Sequence, residues 1–282
     1  SSDVCSSDLF EFARLLVGRM RGGLAQVDIL VSVIFSGMSG SALADAAGPG
    51  LVTIRQMLKK PEYSPGFAGA VVVASATIGP IIPPSIPMVL YALVSGTSVG
   101  ALFLGGVLPG LLMAALLMLG VHLIASRRKM PNEAAIPLRQ MPGIFIRALL
   151  PLSLPLLLLG GIYSGAFTPT EAAAVAALHA LLLAVVVYRA LDARALFAVT
   201  LESLRSSTVI TLIIAAAYLL NYVFAAEGLP QQLAAWVSGL QLGATGFLLL
   251  VNLLFLLLGC FLDVSVMLLV DRKSTRLNSS HI

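Results

Sequence analysis

The sequence predicts an all-α polytopic membrane protein, and three observations predict it. Of its 282 residues 59% are hydrophobic and only 11% charged, and the mean hydropathy is +1.00. A soluble domain sits at about half apolar and about a quarter charged. Apolar runs such as Val99–Ala125 exceed the roughly 20 residues a helix needs to cross about 30 Å of hydrocarbon. Strand-type alternation is absent, which argues against an outer-membrane barrel. The net charge of +4 does not point to nucleic acid, because in such a chain Lys and Arg mark cytoplasmic loops.

Both ends differ from the rest. Asp271–His281 (DRKSTRLNSSH) follows a membrane segment abruptly, and together with Ser2–Leu9 (SDVCSSDL) it reads as adapter-derived sequence. The native part is then expected over about Phe10–Val270, as a fragment cut at both ends. The expected organisation is a tail at residues 1–9, a first half at 10–126, a cytoplasmic linker at 127–147, a second half at 148–270 and a tail at 271–282. Cys260, alone in an apolar run, belongs to no disulfide framework.

In chain order, Phe10–Arg21 carries Arg14, Arg19 and Arg21. Gly22–Phe35 is apolar but too short to cross, Ser36–Ser41 (SGMSGS) is small and polar, and Ala42–Met57 leads to Arg55, Lys59 and Lys60. Basic residues flank both outer ends and none lies at the middle. Both ends therefore face the cytoplasm, and the unit reads as a re-entrant hairpin with its tip in the membrane. Ser64 caps the next helix and Pro65 opens it. This helix runs to about Ser75, breaks across Ala76–Ser85 (ATIGPIIPPS), and resumes from Ile86 to about Leu93. Ser95–Ser98 is an uncharged turn, and Val99–Ala125 returns to Arg127, Arg128 and Lys129.

Ser126–Arg147 is the most polar stretch of the native part and joins the two halves. Leu149–Ile162 exits to Tyr163–Glu171, where Thr168, Pro169 and Glu171 fit a capping box. Ala172–Tyr188 returns. Ala193–Arg205 is amphipathic and is expected in the cytoplasmic interface; Thr208–Phe224 exits. Glu227–Gly243, with Trp236 at the interface, is followed by Ala244–Leu262.

Chemistry concentrates at the interruptions. Pro80, Pro83 and Pro84 lack an N–H and clash with preceding carbonyls, so together with Gly79 and Ser85 they cannot continue a helix. Broken backbone at bilayer depth persists only where it is buried in protein or lines a cavity. Discontinuous helices meeting near the midplane are the usual substrate and ion site of secondary transporters. Carbonyls and hydroxyls there suit a small hard cation such as Na⁺, and the helix starts near Ala42 and Ile86 suit a carboxylate. No Lys or Arg lies in Pro61–Ser126.

At these residues the chain resembles the large membrane subunit of the tripartite ATP-independent periplasmic (TRAP) transporters, the DctM-like permeases. The matching runs are Arg21–Gly22–Gly23–Leu24, Ser39–Gly40–Ser41–Ala42 with Ala44–Asp45, Ala76–Pro87, Leu102–Gly106 with Pro109–Gly110, and Gly161–Ala173. The resemblance implies an elevator-type transporter of inverted repeats, whose second repeat is incomplete here because its hairpin and broken helix should lie beyond Val270. It implies Na⁺-coupled uptake of an organic acid across the bacterial inner membrane. The implied partners are a small DctQ-like membrane subunit and a periplasmic DctP-like binding protein. It assigns Ser39, Gly40 and Ser41 to the first hairpin tip and Gly79, Pro80, Pro83, Pro84 and Ser85 to the first broken helix. Ser41 and Ser85 are the candidate Na⁺ ligands.

Asp45, four residues beyond Ser41, reads either as an acid setting charge near a cation or as a structural acid holding the hairpin. Asp28 reads as a hydrogen-bonding or partly wetted residue, and Glu171 as a helix cap. His122 and His179 show no metal-ligand spacing. Pro49 is a breaker within the second arm. Phosphate loops, HExxH and paired catalytic carboxylates are absent, so no catalytic residues are assigned. The other readings are a carboxylate permease working without a binding protein, an intramembrane enzyme using Asp28 with Asp45, and a structural membrane subunit.

Overall fold

The structure is a computed structural model and describes residues 2–130, 132–133, 137–189, 191–228, 239 and 243–260. Those residues form helices joined by turns and short irregular segments, with no strand among them. Four helices among them are long and apolar enough to span a bilayer: Val99–Arg127, Met141–Tyr163, Pro169–Val187 and Ala193–Ala216. Their outer faces are apolar, with Leu104, Leu108, Leu112 and Leu116 exposed on one helix and Leu156 on another. In water this pattern would be costly; in lipid it is the expected solvent-facing surface.

The chain divides into two compact units. The first comprises Ser1–Met88 and Ser98–Asp192 and contains the candidate site. It opens with α1 (Ser2–Val17) and α2 (Gly23–Ser39). A left-handed Gly40 reverses the chain into α3 (Ala42–Asp45), a π-helical turn (Ala46–Gly50) and α4 (Leu51–Met57). These last three share right-handed backbone and form one arm. Pro49 therefore does not end the arm. The wider π turn absorbs its missing N–H, and Thr53 donates its hydroxyl to the Pro49 carbonyl at 3.1 Å.

The hairpin tip is narrower than the sequence suggests. Ser36–Ser39 stays helical, and the Ser36 hydroxyl, bonded back to the Ser32 carbonyl, does not compete for the backbone N–H groups of the tip. Gly37 brings the arm against Pro155, with room for a Cβ only 3.0 Å from that ring. Only Gly40 and Ser41 make the turn.

Next, α5 (Pro65–Ala76) starts on Ser64, whose hydroxyl accepts from the Phe67 N–H, and α6 (Ile86–Ser95) resumes after the break. Then α7 (Val99–Arg127) is capped by Ser98. α8 (Met141–Tyr163) begins inside the polar stretch read as linker. α9 (Pro169–Leu182) opens on the expected capping box, with the Thr168 N–H and hydroxyl each 2.8 Å from Glu171 Oε2. His179 on α9 bonds Ser153 on α8 at 2.7 Å, a structural pairing of two helices.

The second unit takes Val89–Thr97 and the chain from Ala193 onward. Here the sequence expectation of an interfacial helix separate from a spanning one is corrected: α10 (Ala193–Ala226) is continuous. Nothing between Arg205 and Thr208 breaks a helix, and the hydroxyls of Thr200, Thr208 and Thr211 bond the carbonyls four residues back. α11 (Ala244–Gly259) follows. The expectation for Trp236 lies outside the described residues.

Candidate functional site

The hairpin tip and the broken helix meet. A Cβ added to Gly40 would overlap the Pro84 carbonyl oxygen and lie 3.2 Å from the Ile86 nitrogen. One added to Gly79 would lie 3.2 Å from the Ser41 carbonyl carbon and 3.3 Å from the Ala42 nitrogen. Two segments some forty residues apart thus touch backbone to backbone, and glycine at both points permits it. Gly40 has a second requirement, a φ of +59°.

Each predicted site residue has a defined place. Ser39 Oγ accepts from the Ser41 N–H at 3.4 Å, and Ser41 Oγ accepts from the Ala44 N–H at 3.3 Å, capping the second arm. Gly79, Pro83 and Ser85 are buried; Pro80 and Pro84 are half-buried. Ser85 donates to the Pro80 carbonyl at 2.5 Å and accepts from the Met88 N–H at 3.3 Å, so its hydroxyl also folds the break and caps α6. Three of the six residues Gly79–Pro84 are prolines, so the segment has more carbonyl acceptors than N–H donors of its own. Such a surplus of oxygen at a protected bend suits a cation.

α7 closes the back of the break. A Cβ on Gly106 would stand 2.5 Å from the Ile81 carbonyl oxygen, and one on Gly110 would overlap Ile82. Glycines four residues apart let two backbones approach, as small residues do at membrane helix interfaces. The sequence marks both glycines without revealing that they face the break.

Beneath the tip lies a buried polar layer. Asp28 and Asp45 are each 1% exposed. The Ser75 hydroxyl sits 2.6 Å from Asp28 Oδ2, tying the first arm to α5; Asp28 is thus hydrogen-bonded and not wetted. Neither Asp45 oxygen has a hydrogen-bond partner, and neither acid joins an ion pair among the described residues. Gln26 donates to the Met118 carbonyl of α7 at 2.9 Å, a link with no sequence signal. Groups of three or more His, Cys, Asp or Glu placed to hold a metal are absent among the described residues.

These features define a polytopic α-helical membrane protein built around a helical hairpin whose tip abuts an interrupted helix. The chain belongs to the family described as "Tripartite ATP-independent periplasmic transporter, DctM component", which it matches over residues 2–270. It is 42% identical over 262 residues to the sialic acid TRAP transporter large permease protein SiaM of Vibrio cholerae. It is 41% identical, again over 262 residues, to the C4-dicarboxylate TRAP transporter large permease protein DctM of Pseudomonas aeruginosa. It is 32% identical over 262 residues to the ectoine TRAP transporter large permease protein TeaC of Halomonas elongata. Each comparison covers 93% of this chain and 61% of the relative, so the chain spans about three-fifths of their length. It is a segment of this family's membrane component, with four helices among the described residues long and apolar enough to cross a bilayer.

Proposed function

We propose that this chain contributes the first half of a transport site that moves an organic anion inward together with Na⁺. The observation carrying the reading is the mutual contact of Gly40 with Pro84 and of Gly79 with Ser41. Ser39, Gly40 and Ser41 supply one wall, and Gly79, Pro80, Pro83, Pro84 and Ser85 the other. Hydroxyl and carbonyl oxygens of Ser41 and the break hold Na⁺; Ser85 keeps one lone pair free after its two bonds. Asp45, buried without a partner, adds negative charge that a nearby cation offsets. An anion is then held by the bound cation and by the N–H groups at the starts of the second arm and α6.

Sialic acid and C4-dicarboxylates, named for two relatives, are carboxylates, which supports a carboxylated substrate here. Work with a small membrane subunit and a periplasmic binding protein follows from the family, and alternating access of an elevator type is the mechanism that a hairpin-bearing body implies. The test is uptake into proteoliposomes holding the intact transporter, its small subunit and its binding protein. Uptake should follow an imposed inward Na⁺ gradient and stop when the gradient is collapsed. Uptake indifferent to Na⁺ rejects the coupling; uptake without the binding protein favours a permease that works alone.

A further inference from the structure

Three ion pairs occur among the described residues, and two of them end on one buried acid. Glu133, whose side chain is 7% exposed, takes Lys60 Nζ on Oε1 and has Arg14 Nη2 3.6 Å from Oε2. Its N–H donates to the Gly18 carbonyl at 3.1 Å. Lys60 follows the second arm of the hairpin, Arg14 lies in α1, and Gly18 opens the turn into the first arm. Glu133 itself follows α7.

The chain is built to deliver it there. Past α7, Lys129 adopts a left-handed φ of +51°, and the Met130 N–H bonds the Ala125 carbonyl at 2.9 Å. This folds the chain back and buries Met130 in the core. Gly22 and Gly23 receive it. A Cβ on Gly22 would lie 2.9 Å from Ala125 Cβ, and one on Gly23 would lie 2.7 Å from Glu133 Cγ. The Leu24 N–H, one residue on, donates to the Tyr63 hydroxyl at 3.2 Å, which joins the first foot to the second. Both feet of the hairpin therefore converge on the segment that carries Glu133.

We propose that Glu133 is a positioning residue that locks both feet of the hairpin to the end of α7, so that hairpin and α7 move as one body. An exposed pair would exchange partners with water at little cost. Here Lys60 and Arg14 keep 38% and 29% of their side chains exposed, but the Glu133 carboxylate is 7% exposed, so separation leaves that acid as an uncompensated buried charge. The lock therefore stays closed while the tip site changes access. This rests on the transport reading and adds to it which parts travel together.

The experiment uses the intact transporter with its native cysteines, Cys260 among them, changed to Ser, carrying Lys60→Cys with Glu133→Cys, reconstituted with its partners. Before modification the paired variant should take up substrate roughly tenfold more slowly, the effect of about 1.4 kcal/mol of lost positioning. A short bifunctional thiol reagent should join the two positions in high yield and restore uptake to within about twofold of the parent, a difference under about 0.5 kcal/mol. Failure to crosslink, an unmodified paired variant with parental uptake, or loss of uptake on crosslinking would each overturn the lock. Absence of uptake in the parent itself would count against the transport reading instead, since crosslinking yield is scored without transport.

Discussion

Changing Gly40 to Ala is expected to abolish uptake while leaving the protein in the membrane. The added methyl meets two obstacles at once. A non-glycine residue at φ +59° costs about 1–2 kcal/mol, and the methyl carbon also falls onto the Pro84 carbonyl oxygen. Backbone lies on the opposing side, so no side chain can rotate away to make room. The tip must withdraw from the break, and the oxygens of the two walls separate. Gly48→Ala is the matched control in the same arm: its methyl would meet only Phe35 Cζ at 3.8 Å, an ordinary contact. It should retain uptake within about twofold, in keeping with a change smaller than about 0.5 kcal/mol. Equal loss in both variants would show that the tip has no special closeness to the broken helix.

The second large effect is expected at Gly106→Val, judged against Gly105→Val. At Gly106 even a Cβ stands 2.5 Å from the Ile81 carbonyl and overlaps Met88 Cε, whereas Gly105 has nothing within 4 Å. Overpacking a close helix contact costs about 1–3 kcal/mol. Here the strain falls on the segment that forms one wall of the site, so uptake should drop at least tenfold as thermal stability in detergent declines. The Gly105 variant faces open space and should resemble the parent in both measurements. A Gly105 variant impaired as severely as the Gly106 variant would detach the break from α7.

What could be read from the sequence was whatever is encoded locally. Gly79 to Ser85 announces a break because proline removes donors at the positions where it occurs, and Ser64 and Thr168 announce helix starts for the same kind of reason. Both side chains cap their helices, and Ser41, with no such sign in the sequence, caps the second arm as well. Ser36 and Gly37 resemble turn residues in the sequence but are helical, and Gly37 packs against Pro155, which lies far along the chain. Ala193–Ala226 is one helix because the charges at Arg194, Glu202 and Arg205 do not interrupt a helix that has no breaker. Glu133 looked like one polar residue in a polar linker. Its partners Lys60 and Arg14 are 73 and 119 positions away, and no periodicity connects such distances. The contact of tip with break was an inference from chemistry, and only the folded chain displays it.

The most direct measurement is the Na⁺ dependence of uptake by Ser41→Ala beside Ser64→Ala. Both substitutions remove the side-chain cap of a helix, at a cost of about 1 kcal/mol, but only Ser41 touches the candidate site. If the tip and the break together hold Na⁺, the concentration needed for half-maximal uptake should rise roughly tenfold in the Ser41 variant, as loss of about 1.4 kcal/mol of binding would give, and stay at the parental value in the Ser64 variant. An unchanged Na⁺ requirement in the Ser41 variant, with uptake otherwise intact, would contradict the account.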